Sequence, residues 1–239
     1  MPELANREEF EIQLAGKLGK HFGSKRRELQ QLLGDPPNTD NVSFTFWDEL
    51  QELIEEEIMI MALLVLAATA SGHGVNLGSI VMGVIAVEMA RQDSQAFVSR
   101  ARENLTVQGD RWRTRQQQGL PITRQDIADR TLRILGPRAA ENLSVTGVSH
   151  AQTNGADRIV RMLRIEGRVI VSVWRHTGSR PAGHSRAAER PCPICSPREG
   201  KDEPDWRGLK PGFAHPHCDC FVEILEIGPD GKRRKINKG

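Results

Sequence analysis

The residues best suited to chemistry are four cysteines, all of which lie between positions 192 and 220 of this 239-residue chain. The segment Cys192-Pro-Ile-Cys195 is followed by a loop rich in Gly, Pro and charge, and then by His215-Pro-His-Cys-Asp-Cys220. A Cys-x-x-Cys pair presents two thiolates to one ion, and a second cluster about twenty residues later can complete a tetrahedron. The spacing therefore predicts a structural zinc ion (Zn2+) in the C-terminal third.

Six candidate ligands compete for the four positions of such a site. Cys192 and Cys195 form the first pair, and His215 and Cys218 have the x-x spacing that lets two side chains converge. The last cysteine lies two residues further, on the same side of an extended chain, and His217 is the weakest candidate. The predicted metal ligands are Cys192, Cys195, His215, Cys218 and Cys220, four of which are expected to bind.

The cysteines allow two other interpretations. In one, they form a disulfide or stay as thiols, although clustered Cys and His in a reducing cytosol indicate metal binding first. In the other, the metal is catalytic, which requires an open coordination position and a nearby carboxylate such as Asp202, Glu203 or Asp219. A full set of soft ligands with a surplus favours a closed, structural site, so we expect no enzyme and no catalytic residues.

A zinc deaminase is a further alternative, because Pro191-Cys-x-x-Cys195 matches the second half of that signature. The first half, His-x-Glu, is missing. His150 is followed by Ala-Gln and His184 by Ser-Arg, so neither histidine has the proton-shuttling glutamate two residues later. The sequence therefore argues against deaminase chemistry.

The N-terminal half has the pattern of long helices. Apolar residues every four positions from Phe10 to Phe22 predict an amphipathic helix over 4–33, ended by Gly34. A second helix is expected to begin near Thr45 or Asp48 and to include the apolar run 58–70, followed by another apolar stretch over 75–90. The run is too short to span a bilayer, so we predict a helical hairpin buried in a core or between subunits, with a membrane hairpin as the alternative. A polar, exposed helix is expected over 91–119.

The C-terminal half is predicted to be mixed. Thr123 and Asp126 resemble the cap of a helix that stops at Gly136, and a second helix is expected over 138–154, with a further helical turn through residue 162. Residues 168–174 and 221–227 have strand patterns and bracket the cysteines. We therefore predict an α+β fold: a helical assembly region, 1–120, and a C-terminal domain, 121–239, in which a helix and a β-hairpin are stapled by zinc.

Composition narrows the range of functions. The aromatic content is 5% with no Tyr, which disfavours a surface built for base stacking, and the net charge is only +2 with Lys and Arg spread along the chain. The dense basic run is terminal (Lys232, Arg233, Arg234, Lys235, Lys238), and is either a solvated, frayed end or a contact with nucleic acid. Charged residues precede any apolar run at the N-terminus, so we expect no signal peptide and synthesis in the cytoplasm.

Three ordered motifs carry a resemblance to a known family. The first is Arg138-Ala-Ala-Glu-Asn-Leu-Ser-Val-Thr146 with Ala151 and Asn154-Gly155. The second is the strand ending in Trp174 with the Cys192/Cys195 hairpin, and the third is the His- and Cys-containing segment from His215 to Cys220. In this order they resemble the phage Mu F-like head morphogenesis, or minor capsid, family over roughly the last half of the chain. Gly147 stands where that family commonly has Glu, Asp219 replaces a frequent Arg, and the loop 177–190, expected to be mobile, is long.

The resemblance implies a structural component of the virion, made in the host cytoplasm and placed in the phage head or at the portal vertex. Its partners would be the portal and major capsid proteins, with packaged DNA as a further contact through the basic tail, and it would act in head assembly, DNA packaging or ejection. An oligomer or assembly subunit is expected, and a membrane partner is not. The alternatives are a zinc-containing nucleic-acid-binding module and a zinc hydrolase.

Overall fold

This computed structural model describes residues 6–175, 193–214 and 220–236. It is mostly helical (69%) with a small three-stranded antiparallel sheet, which confirms the predicted α+β class. The helices are α1 (Arg7–Leu33), α2 (Phe44–Gly72), α3 (Ser79–Gln117), α4 (Arg124–Ile134) and α5 (Pro137–Ile165). The strands are β1 (Ile170–Arg175), β2 (Phe221–Ile227) and β3 (Arg233–Lys235), and 3-10 turns occupy Thr39–Asn41, Ser196–Arg198 and Glu203–Trp206.

The first two helices form where the apolar spacing predicts them. The predicted stripe of α1 is buried at Leu14, Leu18 and Phe22, and the helix ends at Gly34, whose φ of 73° few other residues adopt at low cost. Helix α2 begins slightly earlier than predicted because the hydroxyl of Ser43 caps it, accepting a hydrogen bond from the backbone N–H of Phe46 at 3.3 Å.

Helix α3 is one continuous rod rather than an apolar stretch followed by a separate polar helix. The predicted exposure of residues 91–119 is wrong for one face, because Val98, Ala101, Leu105 and Trp112 are buried. These residues recur at intervals of three, four and seven, so they form an inward stripe that the surrounding Arg and Gln residues hide in the sequence.

Helix α5 continues through the break predicted at Asn154 and Gly155. A Cβ at Gly155 would lie 3.1 Å from the Leu66 Cδ2 atom, so this glycine lets α5 approach α2 closely and does not end the helix. Glycine inside a helix costs only about 1 kcal/mol, which such packing can offset. Helix α5 is therefore a 29-residue element that reaches from the helical core to the sheet.

Two apolar clusters form the interior. The larger one lies between the helices and includes Leu18, Ile54, Leu66, Trp112 and Val148. Residues on both sides of the predicted boundary at 120/121 thus pack together, and the division into two domains stays a prediction. The smaller cluster joins the C-terminal half of α5 to the sheet. The four tryptophans are all at most 5% exposed, as expected of packing residues.

The predicted helical hairpin is present as α2 and α3, but it is not buried on all sides within this chain. Exposed apolar side chains run along its outer surface, and Ile80 and Val84 are 84% and 65% exposed. The members of this apolar stripe are Ile60, Leu63, Leu64, Ile80, Val84 and Val87. Within residues 6–175, 193–214 and 220–236, no helix combines the length and apolar character needed to cross a membrane.

Candidate metal centre

Strands β1 and β2 bring together the two ends of the cysteine-containing segment. They pair antiparallel as predicted, in a register that sets Arg175 opposite Phe221 and Trp174 opposite Val222. The chain therefore leaves the sheet after Arg175 and rejoins it at Phe221, at paired positions, and the segment between them is called the excursion. The part of this excursion over 193–214 returns to β1, because Trp174 donates its backbone N–H to Lys201 O at 2.9 Å and accepts from Gly200 N at 2.9 Å.

Two of the five predicted zinc ligands lie in the described residues, and both are buried. Cys195 precedes the turn Ser196–Arg198 and Cys220 precedes β2, and each is 1% exposed. Both belong to the smaller apolar cluster, together with Trp174 and Trp206, whose rings meet edge to face at 5.7 Å. The fold therefore places Cys195 and Cys220 in one core.

The predicted ligands Cys192, His215 and Cys218, and the weaker candidate His217, lie outside the described residues. Within the described part of the chain, no group of three His, Cys, Asp or Glu residues could hold a metal. The donor chemistry fits zinc, because buried thiols are soft ligands that bind as thiolates. The buried Trp174 Nε1 also lacks a hydrogen-bond partner in the described structure, and a metal-bound thiolate is an acceptor for such a donor.

Two of the three carboxylates named for a catalytic metal are paired with arginines, and Asp219 lies outside the described residues. Asp202 accepts two hydrogen bonds from Arg233, at 2.9 and 2.7 Å, and Glu203 lies 3.4 Å from Arg164. The bidentate pair of Arg233 with Asp202 joins the loop after Cys195 to β3. Both carboxylates thus serve as links between elements of this small domain.

The segment that leads into His215 is docked on α5 by three contacts. Thr153 donates its hydroxyl to Pro211 O at 2.8 Å, and the ring of Phe213 stacks on His150 with 3.8 Å between centroids. A Cβ at Gly212 would lie 3.0 Å from the backbone oxygen of Ser149, so the two backbones are as close as glycine allows. The segment that precedes His215 is thus held against the middle of α5.

A polar pair beneath this segment was missed from the sequence. His150 Nδ1 lies 2.7 Å from Asp93 Oδ1, which joins α5 to α3, and Asp93 is only 7% exposed. Its Oδ2 atom is buried without a partner in the described structure. The two residues are 57 positions apart in the chain, so no local pattern indicates their contact.

A second buried network lies between α1 and α5. Arg7 donates to Glu11 Oε1 at 2.8 Å, to Ser149 Oγ at 2.7 Å and to Gln152 Oε1 at 3.3 Å. Ser149 and Gln152 lie on the helix that carries the first family-like motif. Buried polar groups are stabilising when each finds a partner, so this network specifies how α1 is seated on α5.

The sheet edge is held by charge-assisted hydrogen bonds. Arg168 donates to both carboxylate oxygens of Glu226, at 2.9 and 2.6 Å, and this hydrogen bonding holds the pKa of Glu226 below its usual value. Three of the five residues of the basic tail, Arg233–Lys235, form β3 rather than a frayed end, and Arg234 is 2.7 Å from Asp230. Contact of the tail with DNA stays a prediction.

Comparison with protein families, with curated proteins and with solved structures finds no match to this chain. The resemblance to minor capsid proteins therefore depends on the sequence motifs alone.

Proposed function

We propose that this chain is a structural subunit of a phage head, a minor capsid or head morphogenesis protein that acts at the portal vertex. One zinc ion staples its C-terminal region. Four residues bind this ion, out of Cys192, Cys195, His215, Cys218 and Cys220. The observation that carries the proposal is the burial of Cys195 and Cys220 in one apolar cluster, at the point where β1 and β2 close the excursion.

A staple would stabilise the excursion because its described residues have little regular secondary structure of their own. Over the described residues 193–214 it contains only two 3-10 turns, and Trp206 is its largest buried apolar side chain. A metal joining its two ends supplies folding free energy directly, since the ligands are brought together only in the folded state. The zinc in this proposal has a closed coordination sphere and performs no reaction.

The apolar stripe supports a role as an assembly subunit. An exposed patch along two consecutive helices is costly in water and marks a surface that another protein covers. The partner we propose is a protein subunit of the head, in line with the resemblance of the three motifs to head morphogenesis proteins. A zinc hydrolase is disfavoured by the engagement of Asp202 and Glu203 with arginines.

The first experiment measures metal in the full chain made under zinc-replete, reducing conditions. We expect one zinc per chain, with thiolate-to-metal charge transfer after cobalt substitution. Cys195→Ser and Cys220→Ser should each weaken zinc binding and lower the melting temperature, whereas Ser196→Ala, next to the first site, should do neither. Metal-free protein with an unchanged melting temperature would refute the zinc staple.

The second experiment places the protein in the particle. Deletion from a phage that encodes it should yield empty, aberrant or poorly infectious heads, and the protein should copurify with the portal in intact virions. Its absence from both proheads and virions, together with a hydrolytic activity that depends on Cys195, would reverse the ranking of structural protein over enzyme.

A further inference from the structure

The segment from Arg91 to Arg138 is more basic than the net charge of the whole chain indicates. It contains ten arginines, no lysine and five Asp or Glu residues, a net charge of +5, whereas the complete chain has +2. This arginine segment comprises most of α3, all of α4 and the first residues of α5. This part of the fold is therefore more basic than the net charge of the whole chain indicates.

Three of these arginines form a cluster where α4 meets α3. The Arg130 guanidinium donates to the backbone oxygen of Asn104 at 3.1 Å, which brings α4 against α3. Arg133 is three residues further along α4, so it lies on the same side of that helix. Arg111 is seven residues after Asn104, two turns along the same face of α3. Arg111, Arg130 and Arg133 are the arginine cluster.

The cluster lacks the carboxylates that pair with other arginines of α3, such as Arg113 and Arg115. Neither Arg111 nor Arg133 forms an ion pair with any described residue, and Arg130 Nε is buried without an acceptor. Burial and the nearby charges of Arg111 and Arg133 lower the pKa of Arg130, whereas no acidic group raises it. By contrast, Arg113 and Arg115, on α3, lie near Asp110 and Asp126. An unpaired donor among like charges is costly unless an anion completes the site.

We infer that the arginine cluster binds the phosphate backbone of duplex DNA. Guanidinium groups match the geometry of phosphate oxygens better than ammonium groups, and this segment uses arginine alone. Its two aromatic residues face inward: Phe97 stacks on Phe22 at 5.0 Å, and Trp112 is 1% exposed. The segment itself therefore offers no aromatic platform to unstacked bases, and the exposed ring of Phe44 on α2 is covered by the Arg102 guanidinium at 4.2 Å, which favours a duplex over a single strand.

The shape of the surface fits the same ligand. Helix α3 has 39 residues and is about 58 Å long at 1.5 Å per residue, and duplex DNA carries one charge per about 1.7 Å. Arg100 lies eleven residues before Arg111, three turns away, so it extends the basic face along the rod. This inference is independent of the zinc site and goes beyond the terminal basic tail.

The test measures binding of the full chain to a fluorescein-labelled 30-base-pair duplex by fluorescence anisotropy at several salt concentrations. The test variant is Arg111→Gln with Arg133→Gln, both on exposed positions. The matched control is Arg158→Gln with Arg161→Gln, which removes the same charge from exposed positions of α5. Melting temperatures of all three proteins verify that they are folded.

Each lost phosphate contact lowers the slope of log K against log salt by about 0.9, so the test variant should lose about 1.8. Between about 50 and 200 mM salt, wild type should then lose about 12-fold more affinity than the test variant, and the control should resemble wild type. Equal slopes for test and control variants would overturn the inference. Tighter binding of single-stranded DNA, or equal competition by poly-L-glutamate per charge, would also overturn it, in favour of another anion.

Discussion

Replacing Gly212 with alanine tests whether the segment before His215 is seated on α5 as the structure has it. Gly212 has a φ of 80°, and a Cβ there would lie 3.0 Å from the Ser149 oxygen and 3.2 Å from its carbonyl carbon. The left-handed backbone costs an L-residue about 1–2 kcal/mol. The steric overlap adds about 1–2 kcal/mol, because a helix carbonyl cannot move aside as a flexible side chain would. We expect Gly212→Ala to lower the free energy of unfolding by about 2–4 kcal/mol.

Gly208→Ala is the matched control for this prediction. Gly208 lies in the same segment with a φ of 76°, but a Cβ there would have nothing within 4 Å. It should therefore show only the backbone cost of about 1–2 kcal/mol. The difference between the two variants isolates the contact with Ser149.

The assay is urea unfolding followed by tryptophan fluorescence, since Trp174 and Trp206 lie in the cluster that joins the sheet to α5. Competition with a zinc chelator in the native state provides a second readout, and Gly212→Ala should release zinc more readily than Gly208→Ala. Equal stability of the two variants, within about 0.5 kcal/mol, would refute the close approach to α5.

Three further predictions follow from buried or exposed groups. Burial lowers the pKa of His73 from 6.5 to about 4. Its titration therefore leaves the free energy of unfolding unchanged above pH 6.5 and lowers it by about 3 kcal/mol as the pH falls to 4. His73→Leu should flatten this part of the stability profile, measured by urea unfolding. His150→Leu should cost about 3 kcal/mol in the same assay because it leaves the Asp93 carboxylate buried alone, whereas Asp93→Asn, which keeps an acceptor, should cost about 1; equal losses would contradict this. Ile80→Ser should reduce self-association in light scattering, whereas Ile165→Ser, at an equally exposed position outside the apolar stripe, should not; equal effects would argue against the stripe as an interface.

Apolar periodicity and capping residues were sufficient to predict the elements whose sequence signal lies within the element itself. The stripe from Phe10 to Phe22 predicted α1, the Thr123 and Asp126 cap predicted the start of α4, and β2 has the predicted bounds, 221–227. Their signals are local: apolar spacing and capping chemistry act over a few residues, so they can be read before any partner is known.

Predictions that depended on what a residue meets across the fold were less successful. Gly155 was interpreted as a helix break, but in the structure it packs against Leu66. A glycine at a helix end has the same sequence signal as a glycine at a close helix contact. The inner face of α3 was missed because its apolar residues are diluted by arginines, and only the neighbouring helices determine which side is buried.

The candidate site divides in the same way. The spacing of Cys and His residues predicted a zinc staple and selected five of six candidate ligands, because metal coordination constrains residues that are close in the chain. Only the tertiary structure could show that Cys195 and Cys220 share a core, that Asp93 meets His150, and that Arg111 lies near Arg130. These contacts join residues 19 to 57 positions apart, and their formation depends on the packing of whole helices, which no local pattern encodes.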